Sequence, residues 1–263
     1  MKFIEVQSLS EIALLKVTVA VCNNFEDCVP NMPPNLATMH SKFNHWFFTV
    51  CGKCLDRMHE LASTLQLPNE LETKVEALCK HVYFQMCTWN GSLVKIHGRL
   101  VSDHAYIYTY LDRIDFRHYF EWKSIGTIDE KKTVQNLLLD EHLSVDFRFV
   151  MACYFCLESD VISLWEIMPE ISKTKIRSHT CTSLPLISFW LKWLDKADFR
   201  DEAASVLRSF YGAHGAFDCI LNSVTLLQYF LLNFSYHLEK EYLKNVVCHS
   251  STLKEVTRFC LFE

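Results

Sequence analysis

The sequence predicts an all-α protein of packed antiparallel helical hairpins, in the manner of a degenerate α-solenoid. Three observations carry that reading. Apolar residues recur at threes and fours over long stretches, most continuously from Trp46 to Leu65, as expected of a buried helical stripe. Glycine is scarce: six in 263 residues, about 2% against an average near ~7%. Proline is equally scarce, and residues 69–168 and 186–263 contain none, leaving long spans free for uninterrupted helices.

Taken in order, Ser8 to Asn24 reads as the first helix, with Ser8 and Glu11 as a capping box and Leu9, Ile12, Ala13, Val17, Ala20 and Val21 on one face. Asn23 to Pro34 holds three prolines and reads as a loop. A long helix follows from about Asn35 to Leu67, its stripe running Trp46, Phe47, Val50, Cys51, Cys54, Leu55, Met58, Leu61, Ala62 and Leu65. Pro68 ends it. Asn69 and Glu72 cap the next helix, whose face is Leu71, Val75, Leu78, Val82 and Met86 and whose end falls near Trp89-Asn90-Gly91.

Ser92 to Ile114 alternates less cleanly and is the place where short strands fit best. Asp112 to Asp115 reads as a turn, and Thr127 with Glu130 caps a short helix through Leu139. Further helices are expected at Ser144–Leu157, Asp160–Met168, Ser172–His179, Leu184–Lys196, Phe199–Tyr211, Cys219–Phe234, His237–Cys248 and from Thr252 onward. Short connections between helices of this length make αα-hairpins. The seam between an N-terminal subdomain (1–115) and a C-terminal hairpin array (116–263) is placed near Asp112–Glu130.

The segment Thr133 to Met168, with its core Asp-Phe-Arg-Phe-Val-Met-Ala-Cys-Tyr-Phe-Cys-Leu-Glu (146–158) and Leu164-Trp165, resembles a family of uncharacterised arthropod α-helical proteins. The resemblance extends to the Ser8-to-Val21 helix and to Phe259-Cys260-Leu261-Phe262. It implies a helical fold and transfers no site residues.

Composition narrows the function classes. A net charge of −5 offers no basic footprint for nucleic acid, and the densest basic segment, Lys173 to His179, reads as a solvated helix face. The apolar run Ile12 to Cys22 is broken by Lys16 and followed by no small-residue cleavage site. The run Leu226 to Phe234 falls far short of the ~20 residues that cross a bilayer. A soluble, cytoplasmic chain is expected, with its twelve cysteines mostly reduced. The glycines form neither GxGxxG nor a P-loop. No HExxH and no GxSxG occurs, so metalloprotease and hydrolase templates fail on their own required residues.

Two CxxC pairs, Cys51-Gly52-Lys53-Cys54 and Cys153-Tyr154-Phe155-Cys156, are the low-weight candidates for a metal or thiol centre. Thiolates at this spacing clasp one edge of a tetrahedral zinc, and His59 would extend the first pair. Both pairs lie inside apolar helical stripes, where a cysteine is usually a small buried hydrophobe. No cofactor and no bound metal is therefore expected. A thioredoxin-type dithiol would need a preceding strand, and the residues before Cys51 already read as helix.

Aromatic neighbours such as Phe47-Phe48 and Trp190 with Trp193 cannot all face one core. Phe116, Arg117, Tyr119 and Trp122 are the best candidates for a partner surface, since they mix aromatics with a cation near a loop. Ser8-Leu9-x₃-Ala13-x₃-Val17 loosely resembles the elongin-binding box of ubiquitin-ligase substrate receptors, an amphipathic helix that docks in a partner's groove. The leading expectation is a non-enzymatic helical scaffold binding an unidentified protein. The alternatives are a zinc- or thiol-dependent protein using the CxxC pairs, and a ubiquitin-ligase adaptor working through the N-terminal helix.

Overall fold

A computed structural model describes residues 9–23, 56–57, 59–98, 114–180, 185–211 and Tyr229. These residues are mostly helical and form no strand, only an isolated antiparallel bridge between Trp122 and Ile128. The expected helices beyond Tyr211, the long stripe up to Leu55, and residues 99–113 lie outside the described residues. The chain divides into two compact units, Met1–Val94 with Asp103–Thr133, and Lys95–Ser102 with Val134–Glu263.

In the first unit, α1 spans Leu9–Asn23 and buries Leu15, Thr18, Val21 and Cys22. That stripe is rotated from the one expected: Ala13, Val17 and Ala20 face outward. Ten of the fifteen residues are apolar and they fall on every side of this helix, so spacing alone cannot choose which face turns inward. Thr18 is satisfied in the core by donating to the Leu14 carbonyl at 2.9 Å.

α2 spans Asn69–Gly98 and buries Val75, Cys79, Val82, Tyr83, Met86, Trp89 and Leu93. It runs straight through Asn90-Gly91, where the sequence suggests an end. Burial of Trp89 and Leu93 on either side outweighs the local turn preference, and Ser92 keeps to the helix by donating to the Thr88 carbonyl. Residues 92–98 are thus helix rather than strand. The cap is also displaced. The Pro68 carbonyl accepts the amides of Leu71 and Glu72, Asn69 is the first helical residue, and the Glu72 carboxylate accepts the Ser63 hydroxyl instead of a backbone amide.

Asp115 starts a 3₁₀ turn, Phe116–Tyr119, by accepting the Arg117 amide. The chain then doubles back at Lys123–Gly126, where the Gly126 amide donates to the Lys123 carbonyl at 3.0 Å. Gly126 has φ +81, and a Cβ there would meet Leu15 and His81. Here the fold uses the missing side chain of a glycine. α3 follows at Glu130–Leu138, capped by the Asp129 carboxylate on the Lys132 amide and not by Thr127 as expected.

In the second unit, α4 (Val145–Tyr154), α5 (Glu158–Ile167), α6 (Glu170–Thr180), α7 (Pro185–Leu194) and α8 (Arg200–Tyr211) follow in short-looped succession. α4 packs on α5 and α7, and α7 also packs on α6 and α8. The core is dense and aromatic, with Phe147, Phe149, Val150, Met151, Phe189 and Trp190 buried. Ser144, expected as the first residue of this helix, is its cap and accepts the Phe147 amide.

Candidate functional site

The C-terminal CxxC pair is a helix end. After Tyr154 the chain reverses: the Leu157 amide donates to the Ala152 carbonyl at 3.0 Å and the Cys156 amide to the Cys153 carbonyl at 3.2 Å. This pair of bonds is the Schellman motif, whose αL position glycine usually fills. Here Cys156 fills it with φ +50. Cys153 is buried in the core, and burial pushes both thiols above their ordinary range. High thiol pKa values make poor nucleophiles and poor metal ligands at neutral pH.

Cys51 and Cys54 lie outside the described residues. Among the described residues, no group of three or more His, Cys, Asp or Glu side chains is placed to hold a metal ion. His59 is exposed, as its place beside the stripe predicts, with Nδ1 2.6 Å from Glu76 Oε1.

The Phe116–Trp122 stretch is placed mostly inward. Phe116 and Phe120 are buried against Trp89, with ring centroids 5.7 and 5.2 Å away. Tyr119 and Trp122 are half-buried. Arg117 donates to both Asp115 oxygens and to the Asn23 carbonyl at 3.2 Å, holding the C-terminal end of α1. The indole N–H groups of Trp89 and Trp122 are buried with no acceptor among the described residues.

A cleft that the sequence reading did not single out lies in the second unit. It encloses about 680 Å³ and is lined by Ile162, Trp165, Glu166, Trp193, Leu194, Lys196, Ala197 and Phe199. α5 supplies one wall; the end of α7 and its turn into α8 supply the other. That turn is a second Schellman motif, with Ala197 donating to the Lys192 carbonyl at 2.8 Å and Lys196 at φ +53. The reversal is what carries Lys196, Ala197 and Phe199 to the cleft.

Each aromatic in the wall rests on a fully buried aromatic. Trp165 lies 5.2 Å from Phe149, Trp193 5.3 Å from Trp190, and Phe199 5.2 Å from Phe189. Lys173 and Arg177 of α6 lie over the Trp165 ring at 5.5 and 5.1 Å, and Arg177 also pairs with Asp195 at 2.9 Å. The basic segment noted in the sequence is therefore engaged in bracing this wall. The cues present in the sequence were Trp193 one turn from Trp190, and Leu164-Trp165 within the conspicuous aromatic segment.

Among the described residues, no helix is long and apolar enough to cross a membrane. Compared with known protein families, with characterised proteins and with solved structures, the chain matches none.

Proposed function

We propose that the chain is a non-enzymatic helical scaffold whose α5–α7 cleft takes a short apolar segment of a partner protein. The observation that carries this is the bracing of Trp165, Trp193 and Phe199 on buried rings. Aromatic anchors held rigid before binding lose little conformational entropy on association, and such residues dominate interface energies. The cleft volume lies within the ~300–1,000 Å³ range of binding sites, enough for a few large side chains and open to an incoming chain. Glu166 and Lys196 on opposite walls favour a segment that carries a basic residue towards one and an acidic residue towards the other.

The test places a photo-reactive residue at position 162 in the full chain and compares Trp193→Ala with the unsubstituted chain, after circular dichroism has shown both to be folded. Cross-linked proteins lost on Trp193→Ala support the cleft. An identical cross-linked set in both would overturn it.

A second reading, docking of α1 in the manner of an elongin-binding box, is favoured by one observation: Ala13 and Val17, the positions that resemblance requires, face outward, Val17 at 39% exposure. Val17→Asp should abolish capture of the elongin heterodimer if this reading holds. Absence of any capture by the unsubstituted chain sinks it.

A further inference from the structure

The aromatic wall of the cleft already receives cations. Lys173 and Arg177 lie over the Trp165 ring at 5.5 and 5.1 Å, and neither side chain lines the cleft itself. Each also has an acid beside it: Lys173 Nζ is 3.0 Å from Glu170, and Arg177 is 2.9 Å from Asp195. Arg177 therefore displays, on this fold, the pair of groups that holds a guanidinium: an indole ring and a carboxylate.

The cleft offers the same two groups with no cation between them. Glu166, the residue after Trp165 on α5, lines it, is exposed, and makes no ion pair among the described residues. Other acids at this end of the unit are taken, Asp195 by Arg177, Asp198 by Arg200 and Glu202 by Lys192. On the facing wall, Trp193 stands at 81° to Trp190. That edge contact covers at most one face of its ring. No cation among the described residues lies over Trp193.

We propose that the segment taken by the cleft presents an arginine, whose guanidinium stacks on Trp193 and forks onto Glu166. This rests on the cleft being the site of a partner's apolar segment, and adds which side chain it selects. Arginine is favoured over lysine for two reasons. Its planar, weakly hydrated cation loses less hydration against an indole face, and its parallel N–H groups match the two oxygens of a carboxylate. A lysine ammonium must shed a tighter water shell to reach the same place. Lys196, the cation among the lining residues, sits exposed at its left-handed turn position. Its long stem lets the ammonium stay in water while the guanidinium enters.

The experiment uses the full chain and three probes: acetyl-Leu-Arg-Phe amide, and the same peptide with lysine or uncharged citrulline in place of arginine. Binding is measured by isothermal titration calorimetry. The arginine peptide should bind roughly tenfold tighter than the citrulline peptide, the scale of a cation–π contact joined to a charge-assisted pair, and clearly tighter than the lysine peptide. Glu166→Gln should bring the arginine peptide down to the citrulline one and leave the citrulline peptide unchanged. Equal binding of arginine and citrulline, equal binding of arginine and lysine, or an arginine preference that survives Glu166→Gln would each overturn the selection of arginine. If all three peptides bind alike and are lost together on Trp193→Ala, the cleft stands as an apolar site and the arginine falls. Binding of none of the three also overturns it, and cross-linking from position 162 then decides the cleft separately.

Discussion

The indole N–H of Trp190 donates to the carbonyl of Cys153 at 3.0 Å, across buried surroundings and between helices α7 and α4. The contact ties one of the four low-weight metal-ligand candidates to the centre of a helical core. Trp190→Phe keeps the ring and removes the donor, and should lower stability by about 1–3 kcal/mol, read as a lower urea midpoint. Trp122, whose buried N–H has no acceptor among the described residues, provides the contrast. Trp122→Phe should cost clearly less, because no hydrogen bond is lost with the donor. Equal losses in the two variants would contradict this account of Trp190.

The left-handed residues at helix ends carry a second expectation. Lys196 occupies its αL position at φ +53 while exposed to solvent, so its conformation costs energy and its side chain recovers little of it. Lys196→Gly should raise stability by about 0.5–1 kcal/mol, the αL penalty less the extra chain entropy of glycine. Lys196→Ala should leave the thermal midpoint where it is. A midpoint that falls on Lys196→Gly would show that the side chain contributes more than the backbone costs.

Glu130, the first residue of α3, makes stability depend on pH in the less common direction. Burial pushes its carboxyl up to about 7, against the pull of Lys123 and with a smaller push from Asp129. The folded state therefore holds this proton over a range in which the unfolded chain, with the ordinary carboxyl value of 4.5, has released it. The stabilising contribution is complete below about 4.5 and is lost as pH rises through about 7. Glu130→Gln should flatten the decline in urea midpoint between those values and exceed the parent chain at pH 8. A midpoint that rises over the same interval in the parent, with no change of slope on Glu130→Gln, would refute the assignment.

Thiol accessibility gives the fourth. Burial raises the thiols of Cys153 and Cys156, so native protein at pH 8 should alkylate slowly with iodoacetamide at both positions and rapidly once unfolded in urea. Fast native labelling of Cys153 would mean that α4 opens readily or that the sulfur is more acidic than its surroundings dictate.

Much of the helical framework could be read from spacing, because a helix that buries one stripe leaves a period in the chain. The starts of α4 and α7 were legible to within a residue, and their ends to within three and two: Ser144 offers a hydroxyl where an amide needs one, and Pro185 cannot extend a helix backwards. The caps at Asn69 and Thr127 were misplaced by one or two residues, since several polar residues in a row can each serve and only the local path of the chain selects among them. The inward face of α1 was legible only at Val21. Apolar residues on every side of a helix leave a weak period, and packing selected the face that carries Leu15, Thr18, Val21 and Cys22.

The CxxC pair at 153–156 shows where sequence ended and tertiary structure began. By itself, the sequence determined an all-α chain poor in glycine, with its cysteines set in apolar stripes. Scarcity of glycine had a consequence that spacing could not reveal: Gln66, Cys156 and Lys196 all take left-handed backbone at φ 51, 50 and 53, the conformation for which glycine is usually chosen. Only the packed structure decided that Cys156 closes a helix and that the second reversal brings Phe199 towards Trp165. Such juxtapositions come from contacts between residues distant in the chain, and local periodicity holds no record of them.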